Sequence, residues 1–387
     1  MRVLILGADG YLGWPTAMRL AARGDDVMVV DNYLHRRLAC ETSSEPLFAT
    51  PMLPERASIL CAASGLRVAV EIGDCTDEAF MARLFAAFAP DAVVHYAEQP
   101  SAPYSMMGFG EAQRTLHNNI GATFNVIWSV MRHAPDCHIV KLGTMGEYGT
   151  PNIDIEEGWL EVEHKGRSER FLYPRQGGSL YHTTKILDTD LLWFYVRTYG
   201  LKVTDLMQGP VYGLSTVEAD ADRRLAPHFH YDDIFGTVLN RFLVQAVAGI
   251  PLTVHGSGGQ TRGFLNLEDT LQCVDLALRT PAKAGEMRIF NQFTERFSVR
   301  ELAKRVVDVG RRMGLDASTA SIANPRKERE EHYYNPAHAA LLDLGLRPHY
   351  LTDDVLADLL ARVQCHRDAI DPRRIMPRVR WNEPRSP

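Results

Sequence analysis

The stretch Gly7-Ala8-Asp9-Gly10-Tyr11-Leu12-Gly13 is the feature that most restricts how this chain can fold. It follows the apolar run Arg2–Leu6 and opens a segment with helical spacing at residues 11–22, where Pro15 is tolerated because it lies near the helix start. Glycines placed between a strand and a helix allow a tight turn and leave the first helical amides accessible. The pattern predicts the first strand–helix unit of a parallel sheet.

The alternation of apolar runs and helical segments continues along the first half of the chain. Further strands are predicted at residues 27–31, 67–72, 92–96, 138–142 and 203–207, and helices at 77–88, 111–132 and 181–199. Continuous apolar strands separated by helices are typical of a parallel sheet covered on both faces. We therefore expect a Rossmann-type α/β fold with a doubly wound parallel sheet and a smaller C-terminal α/β lobe for the substrate.

An acidic residue at the end of the second predicted strand indicates which dinucleotide the glycine loop would hold. Asp31 follows Gly7 at close to the usual spacing of about 20 residues. A carboxylate there accepts hydrogen bonds from both ribose hydroxyls and repels a 2′-phosphate, which predicts NAD rather than NADP. Arg36 and Arg37 leave NADP open, because a nearby guanidinium could bind that phosphate. Asp74, after the third strand, is expected near the adenine.

Two segments interrupt the alternation. Residues 32–65 are too long for an ordinary connection between a strand and a helix, and residues 214–231 are polar and charged. Connections of this length are either functional loops, such as lids, or plain insertions. We predict an NAD-binding domain at 1–208 and a mainly substrate-binding lobe at 209–370, from which segments could return to the first domain. Residues 371–387 are predicted to form a loose tail rich in proline and arginine.

Composition and charge exclude several classes of protein. Apolar residues make up 45% of the chain and charged residues 23%, as in globular enzymes and unlike disordered chains. With a net charge of −6 and no basic run, binding to nucleic acid or to a membrane is not expected. The chain shows no apolar stretch of bilayer length, no signal peptide and no CxxC pair among its six cysteines. These features predict a cytoplasmic protein without a metal site, and His228 and His230 are interpreted as loop or surface residues.

A second motif predicts the chemistry. Tyr181 and Lys185 are four residues apart and so share one helix face. A lysine ammonium near a phenol favours the phenolate, which would lower the pKa of Tyr181 and make it a base for a substrate hydroxyl. Such pairs are frequent in ordinary helices. This one indicates a catalytic site only in combination with the glycine loop and with Thr144, which follows a predicted strand. Together the three features predict a dehydrogenase-type site, in which Lys185 also holds the nicotinamide ribose.

These motifs resemble a known family. The glycine loop, Thr144, Tyr181 and Lys185 resemble the extended short-chain dehydrogenase/reductase superfamily, whose members include NAD-dependent epimerases and dehydratases. Residues 98–106, 141–158, 259–263 and 290–295 closely resemble the UDP-sulfoquinovose synthase family. The resemblance extends from Arg2 to about residue 360.

The resemblance implies a reaction and a set of residues. The family oxidises carbon 4 of a nucleotide sugar with bound NAD, eliminates water across carbons 5 and 6, adds sulfite at carbon 6 and returns hydride to carbon 4. Tyr181 is then the base, Lys185 its partner and Thr144 a hydrogen-bonding partner of the substrate hydroxyl. The NAD-binding residues it implies are Gly7, Asp9, Gly10, Tyr11, Leu12, Gly13, Asp31, Asn32, Arg36, Asp74, Cys75, Tyr96, Asn119, Tyr181, Lys185 and Gln208. The substrate-binding residues it implies are Gln99, Pro100, Thr144, Tyr181, Gln208, Gln260, Arg262 and Arg326, with the two arginines on the nucleotide phosphates. A homodimer through a helix pair is also implied, with residues 111–132 and 181–199 as the candidates.

The elimination of water requires a further acid or base. Related 4,6-dehydratases carry an Asp-Glu pair directly after the threonine, where this chain has Met145 and Gly146. His182 and Glu147 are the nearest candidates, since an imidazole or a carboxyl group can hold or release a proton. His182 is equally compatible with a helix histidine in the cleft wall, and Glu147 with a hydrogen-bonded structural carboxylate.

One position departs from the family pattern. The family has an arginine after Glu98-Gln99, where this chain has Pro100, which carries neither charge nor donor. The leading hypothesis is therefore an NAD-dependent dehydratase of a nucleotide sugar or nucleoside, which oxidises carbon 4, eliminates water across carbons 5 and 6 and lacks the sulfite step. The alternatives are a UDP-sulfoquinovose synthase, a nucleotide-sugar 4-epimerase and a non-catalytic NAD-binding protein. The intact set of Thr144, Tyr181 and Lys185 argues against the last.

Overall fold

The computed structural model describes residues 1–326 and 329–381, and a parallel sheet forms its centre. The strands in these residues are β1 Arg2–Leu6, β2 Asp26–Asp31, β3 Ala69–Ile72, β4 Ala92–His95, β5 His138–Thr144, β6 Trp159–His164, β7 Arg167–Leu172, β8 Lys202–Gln208, β9 Val211–Tyr212, β10 Leu252–His255, β11 Thr261–Asn266, β12 Met287–Gln292, β13 Glu295–Ser298 and β14 Thr319–Ile322. The α-helices are α1 Gly13–Ala22, α2 Leu34–Glu41, α3 Leu53–Ser64, α4 Glu78–Phe88, α5 Ala102–Ser105, α6 Phe109–His133, α7 Leu180–Tyr199, α8 Val238–Ala248, α9 Leu267–Arg279, α10 Val299–Arg312, α11 Ala340–Asp343 and α12 Asp353–Gln364. The main sheet has seven strands in the order β3-β2-β1-β4-β5-β8-β12, and all of its neighbouring pairs are parallel.

Helices cover both faces of the main sheet. Residues 3–6 of β1 are fully buried, because this strand lies at the centre of the sheet between β2 and β4. One face packs against α1, α3 and α9, and the other packs against α4, α6 and α7. This arrangement requires strands that are apolar on both sides, as the sequence has them. The predicted Rossmann-type, doubly wound α/β fold is confirmed.

The strand order reverses at β1. Strands β2 and β3 lie on one side of it, and β4, β5, β8 and β12 lie on the other. In open parallel sheets, ligands bind in the crevice that forms beyond the carboxyl ends of the strands at such a reversal. The glycine loop after β1 and the loop after β4 therefore meet at the edge of the sheet where a ligand is expected.

The second half of the chain builds a smaller lobe. Helices α8, α10 and α12 enclose a separate apolar core together with β10 and β14, which pair in parallel. Strands β9, β11 and β13 form a three-stranded sheet beside it. Within this half, β12 returns to the main sheet and pairs with β8 from Met287↔Val203 to Gln292↔Gln208. The domain limits at 208 and 370 remain predictions, with β12 as a segment that joins the first domain.

Residues 32–65, expected as a long connection, contain the two helices α2 and α3. The first turn of α3 carries Pro54, and the helix ends at Gly65, whose φ of 76° is left-handed. Leu38, Leu53 and Leu60 are buried and fix both helices against the main body. The segment is a helical insertion, and its weak apolar periodicity explains why the sequence did not reveal it.

The polar segment 214–231 is also ordered. It forms two short 3₁₀ turns, Ala219–Ala221 and Arg223–Leu225, before reaching the second core. His228 and His230 are buried, with 3% and 5% of their surface exposed. They lie in a loop, as one of the two interpretations held, but they are not on the surface, because the aromatic side chains on either side of His230 are fully buried and hold the backbone inside the lobe.

The described part of the predicted tail, residues 371–381, packs against the protein. Ile375 and Val379 are buried, and Arg378 forms an ion pair of 2.9 Å with Asp233. The backbone amide of Trp381 donates to the carbonyl of Pro325 at 3.0 Å. The structure therefore differs from the predicted loose tail up to residue 381, and the remainder of the tail, 382–387, lies outside the described residues.

Helices α6 and α7 pack against each other on the surface of the main sheet. Their outward faces carry exposed apolar side chains: Leu116, Phe124, Leu187, Phe194 and Tyr199. None of the helices within residues 1–326 and 329–381 is long and apolar enough to cross a membrane.

Candidate active site

A cavity of about 710 Å³ lies beyond the carboxyl ends of the central strands, between the main sheet and the smaller lobe. The predicted NAD-binding residues that line it are Gly7, Gly10, Tyr11, Leu12, Gly13, Asp31, Asn32, Asp74, Cys75, Tyr96, Tyr181 and Gln208. All the predicted substrate-binding residues line it as well: Gln99, Pro100, Thr144, Tyr181, Gln208, Gln260, Arg262 and Arg326. Asp9, Arg36, Asn119 and Lys185 do not line the cavity in this structure. Most of the predicted site residues therefore line one continuous cavity.

The glycine loop has the geometry that a dinucleotide pyrophosphate requires. Gly7 has a φ of 82°, and a Cβ atom there would lie 2.5 Å from the carbonyl carbon of Tyr96. A Cβ atom on Gly13 would overlap the carbonyl oxygen of Gly7, so this glycine lets α1 pack against β1. A Cβ atom on Gly10 would meet only the carbonyl oxygen of Gly7, at 3.6 Å, which is ordinary contact. Gly7 and Gly13 are thus needed for packing, whereas Gly10 keeps the backbone bare at the cavity.

Asp31 lies at the cavity as predicted, but Arg36 does not accompany it. The Asp31 carboxylate accepts hydrogen bonds from the backbone amides of Asp9 and Tyr33, at 2.8 and 2.7 Å. Burial raises its pKa to about 6, and the neighbouring Asp9 carboxylate contributes to this increase. Arg36 instead pairs with Asp9 at 2.6 and 2.9 Å and donates to the carbonyls of Thr50 and Pro51. Because its donors are used in this way, Arg36 is not available for a 2′-phosphate, and its predicted contact with the cofactor is wrong for this structure.

The part of the cavity where the adenine is expected is lined by polar side chains that contact one another. Asn32 donates to Asp74 at 2.8 Å, and Thr76 donates to the other oxygen of that carboxylate at 2.7 Å. Burial raises the pKa of Asp74, but these hydrogen bonds outweigh it and lower the pKa overall. Burial raises the pKa of the Cys75 thiol, which is therefore an uncharged lining residue. Tyr96 shares a hydrogen bond of 3.1 Å with Thr16, at the start of α1.

Asn119 and Gln99 hold the loop after β4 in place. Asn119 accepts from the backbone amide of Gln99 at 2.8 Å and donates to Thr184 of α7 at 3.0 Å. The Gln99 amide donates to the carbonyl of Ser101 and to Thr115. Its oxygen accepts from the backbone amide of Ser101. Both side chains are thus occupied inside the protein, which agrees with the structural asparagine that the resemblance implies and leaves only part of Gln99 facing the cavity.

Tyr181 faces the cavity from the first turn of α7, with Lys185 one turn further on. The Lys185 Nζ atom lies 5.9 Å from the centre of the Tyr181 ring. It donates to the carbonyl of Leu142 at 2.6 Å and forms an ion pair of 2.7 Å with Glu98. Burial raises the pKa of Tyr181 above its usual value, and the negative charges of Glu98 and Glu147 raise it further. The expected lowering of this pKa is therefore wrong for the cavity as it stands here, because burial disfavours the phenolate and Glu98 adds a negative charge beside the lysine.

Glu147 does not reach the cavity. It is fully buried and pairs with Lys141 at 3.4 Å, while its oxygens accept from the backbone amide of Thr144 and from Thr189, each at 3.2 Å. Burial raises its pKa, although Lys141 acts in the opposite direction. Its role as the acid or base of the elimination is not supported by this geometry. The geometry fits a structural carboxylate instead, because Glu147 completes the cap of the turn that carries Thr144.

His182 does lie in the cavity wall, beside Tyr181. Its ring contacts Gly146, where a Cβ atom would overlap the Nε2 atom. The Nδ1 atom is buried without a hydrogen-bond partner among the described residues. Burial lowers its pKa to about 3, and the positive charges of Arg326 and Arg262 contribute. A bound anion on these arginines would offset that contribution, so His182 remains the candidate for proton transfer.

The far end of the cavity is suited to an anion. Arg241, Arg262 and Arg326 line it from the smaller lobe. Arg262 donates to the carbonyl of Thr261 at 2.8 Å, and Arg326 lies 5.5 Å from the Trp381 ring centre. Arg241 is buried, its Nε atom has no partner among the described residues, and burial together with Arg326 lowers its pKa to about 10. A cluster of guanidinium groups that includes the buried Arg241 is suited to a nucleotide diphosphate.

Pro100 lies in the cavity wall on the side of the main sheet. The neighbouring Ser101 caps α5 by accepting from Tyr104, which fixes the loop. The lysine and arginine side chains among the described lining residues are Arg241, Arg262, Arg326 and Arg329. All four belong to the smaller lobe, so the loop that carries Pro100 supplies no cation.

Sequence reasoning missed three groups of residues at this site. Glu98 was noted only as part of a longer motif and was given no role. Arg241 was not predicted, because an arginine in a helix is usually exposed. The pair of Lys141 with Asp205, at 3.4 Å, connects β5 to β8 beneath the site and is fully buried. Pairs between distant strands can be found only once the topology is known.

Comparison with known proteins agrees with this geometry. The sequence model of the NAD dependent epimerase/dehydratase family matches residues 3–291. The chain is 46% identical to the chloroplastic UDP-sulfoquinovose synthase of Spinacia oleracea, over 99% of this chain and 79% of the relative. It is 44% identical to the UDP-sulfoquinovose synthase of Sulfolobus acidocaldarius, over 99% of this chain and 98% of the relative. Among solved structures, the dTDP-glucose 4,6-dehydratase DesIV of Streptomyces venezuelae superposes with a TM-score of 0.70 at 21% identity, covering 96% of this chain and 99% of the other, which supports the fold.

The predicted resemblance is thereby confirmed, together with the expectation of an NAD-dependent enzyme of nucleotide sugars. The roles of the individual site residues remain predictions that the geometry constrains. With its glycine loop, its tyrosine and lysine in α7 and its near full-length identity to two such enzymes, the chain belongs to the UDP-sulfoquinovose synthase family within the NAD dependent epimerases and dehydratases.

Proposed function

We propose that this enzyme transiently oxidises carbon 4 of a nucleotide sugar, eliminates water across carbons 5 and 6 and returns the hydride to carbon 4, without a dedicated step for adding sulfite. The observation that carries the proposal is one cavity with Tyr181 and Thr144 at the sheet and three arginines at its far end. The loop bearing Pro100 contributes no cation to this cavity. When bound, NAD supplies the hydride acceptor for carbon 4.

The residues around Tyr181 are suited to remove a proton from a sugar hydroxyl. Thr144 is held at the end of β5 by the cap that Glu147 completes, and it lines the cavity beside Tyr181. Burial keeps the Tyr181 phenol protonated, so the phenolate requires additional positive charge nearby. Lys185 carries that charge 5.9 Å from the ring centre, and any loosening of its pair with Glu98 favours the phenolate.

The diphosphate would be held by the smaller lobe. Arg241, Arg262 and Arg326 together present more donors than a sugar alone would use, and Arg241 is buried. Binding an anion there moves negative charge towards His182, whose pKa these arginines help to lower. The imidazole then becomes a better proton acceptor for the hydrogen on carbon 5, which the ketone at carbon 4 acidifies.

The test is mass spectrometry of the product. UDP-glucose and related nucleotide sugars are incubated with the enzyme, with and without sulfite. We expect a product lighter by one water that contains no sulfur, and sulfite should neither accelerate turnover nor enter the product. A sulfonated product from the unmodified enzyme would overturn the proposal, and an isomer of unchanged mass would indicate a 4-epimerase.

The second candidate is a UDP-sulfoquinovose synthase. It is favoured by 44–46% identity over nearly the whole chain to two proteins of that name. In that case another group must bind sulfite in place of the family's arginine. The variant Pro100→Arg distinguishes the two candidates. If the enzyme is a dehydratase, the variant should gain a dependence on sulfite; if it is already a synthase, the variant should use sulfite no better than the unmodified enzyme. Pro100→Ala is the control for disturbing the loop.

We also propose that two copies pair through α6 and α7. The two helices pack against each other and expose Leu116, Phe124 and Phe194 together. Light scattering should give the mass of two chains for the wild type and of one chain for Phe124→Glu. A monomeric wild type would exclude this proposal. The expected cytoplasmic location, and the expectation that the enzyme binds neither membrane nor nucleic acid, stay predictions.

A further inference from the structure

Three histidines meet outside the catalytic residues, in the wall of the cavity. His35 is on α2, and His228 and His230 precede α8. One ring nitrogen of each lies within 4.8 Å of those of the other two. All three rings line the cavity, and His228 and His230 are buried. Residues nearly 200 positions apart in sequence are thus brought to a single point.

Each of the three rings has one nitrogen that the protein does not use. The Nε2 atoms of His35, His228 and His230 are all buried without a hydrogen-bond partner among the described residues. A buried ring nitrogen that goes unpaired is costly, and three at one place require an explanation. An oxygen of Asp9 lies 3.8 Å from the His228 Nε2 atom.

The surroundings of His230 fix the ring in the form that a metal needs. Its Nδ1 atom lies 2.8 Å from the backbone carbonyl of Ser44 and 3.4 Å from the buried carboxylate of Asp232. Since a carbonyl only accepts, Nδ1 carries the hydrogen and the lone pair is on Nε2. Asp232 is itself held by the backbone amides of Ile234 and Phe235. A carbonyl or carboxylate on the outer nitrogen is the usual support of a metal-bound histidine.

The guanidinium groups of Arg36 and Arg56 lie beside the cluster and are themselves paired with Asp9.

We propose that His35, His228 and His230 bind a divalent transition metal such as Zn²⁺ through their Nε2 atoms. Three imidazoles with a fourth position open to a cavity form a recognised zinc geometry, and imidazole also suits Co²⁺ and Ni²⁺. Zinc–nitrogen bonds are about 2.0–2.1 Å long, so the rings must close slightly around the ion. The metal would join α2, which follows Asp31, to the segment before α8 and so brace the wall of the NAD site.

This site is absent from the expectations drawn from the sequence, which predicted no metal. It differs from the catalytic machinery in position, since it uses none of Thr144, Tyr181, His182 or Lys185. The proposed reaction needs no metal, so the test relies on metal binding rather than on turnover.

The experiment measures Co²⁺ and Zn²⁺ binding to untagged, chelator-treated, full-length protein. Co²⁺ is followed by its visible d–d absorption, and Zn²⁺ by the metal retained after gel filtration. We expect one ion per chain, with the intense Co²⁺ bands of a four-coordinate site. Asp232→Asn removes a partner of the outer His230 nitrogen and should weaken metal binding by roughly 10–100-fold. His228→Asn and His230→Asn each remove a ligand and should weaken it by more than that.

The exposed histidines His117 and His164 provide matched controls, because His117→Asn and His164→Asn change the histidine count without touching the cluster. Zn²⁺ should raise the melting temperature of the wild type and of both controls but not of His228→Asn. NAD binding to each variant shows whether it is folded. The proposal is overturned if the wild type binds no more metal than His228→Asn, or if a control variant loses the ion.

Discussion

Removing the charge of Glu98 tests how the site controls its tyrosine. Glu98 and Lys185 form an ion pair of 2.7 Å, and their side chains are only 2% and 3% exposed. Glu98→Gln keeps the shape and one oxygen acceptor but leaves the lysine charge without a counterion. Breaking a buried pair by removing one partner costs about 3–5 kcal/mol. Because Lys185 keeps its bond to the Leu142 carbonyl, we expect a loss of unfolding free energy near the lower end, about 3 kcal/mol.

The same substitution that lowers stability should favour the oxidation step. Burial is the largest cause of the raised pKa of Tyr181, and Glu98 is the next. Without that negative charge the pKa of the phenol falls, since the phenolate is no longer repelled. The alkaline rise of the oxidation rate should therefore move to lower pH in Glu98→Gln, even though the variant is less stable.

The assay is the single-turnover rate of hydride transfer, followed by absorbance of the reduced cofactor across a range of pH, beside denaturant unfolding. Glu78→Gln is the control: its pair with Arg132 is 2.8 Å long but 63% and 52% exposed. It should change stability by about 0–1 kcal/mol and leave the pH profile unchanged. A folded Glu98→Gln with an unchanged or alkaline-shifted profile would refute this reasoning.

The remaining predictions concern the tyrosine, the cofactor and the glycine loop. Tyr181→Phe should lower turnover by about 10²–10⁴-fold, as loss of a general base does, while NAD titration stays near normal; near-normal turnover would show that Tyr181 is not the base. The wild type should bind NAD more tightly than NADP, because Asp31 faces the cavity and Arg36 is occupied, and equal affinities would contradict this. Gly7→Ala should cost about 1–3 kcal/mol of stability from its strained φ, whereas Gly10→Ala should mainly weaken NAD binding. Equal loss of stability in the two glycine variants would argue against these separate roles.

The parts of the structure that could be predicted from the sequence are those that depend on local pattern. The glycine loop with Asp31 indicated the first βαβ unit, and apolar runs located six of the seven strands of the main sheet, whereas β12 was not predicted. Pairing between distant residues was not predictable in this way. The contact of Arg36 with Asp9, instead of with a phosphate, depends on the helical insertion that the sequence did not reveal.

The same limit applies to the site. Tyr181 and Lys185 are four residues apart, so their shared face follows from helix geometry alone. Lys185 meets Glu98 only because the loop after β4 and α7 come together in the fold, and the pKa of Tyr181 rises through burial first and the charge of Glu98 second. Glu147 lies three residues from Thr144, yet its side chain turns inward to Lys141, a direction that sequence spacing does not specify.

The contact between Gly146 and His182 constrains how such an enzyme can evolve. A side chain at 146 would occupy the space of the imidazole, because its first carbon would overlap the His182 Nε2 atom. The acidic residue that related 4,6-dehydratases carry at this place therefore cannot be accommodated while His182 keeps its present position. Introducing it requires the imidazole to move or His182 to be replaced, so positions 146 and 182 are coupled in any such change.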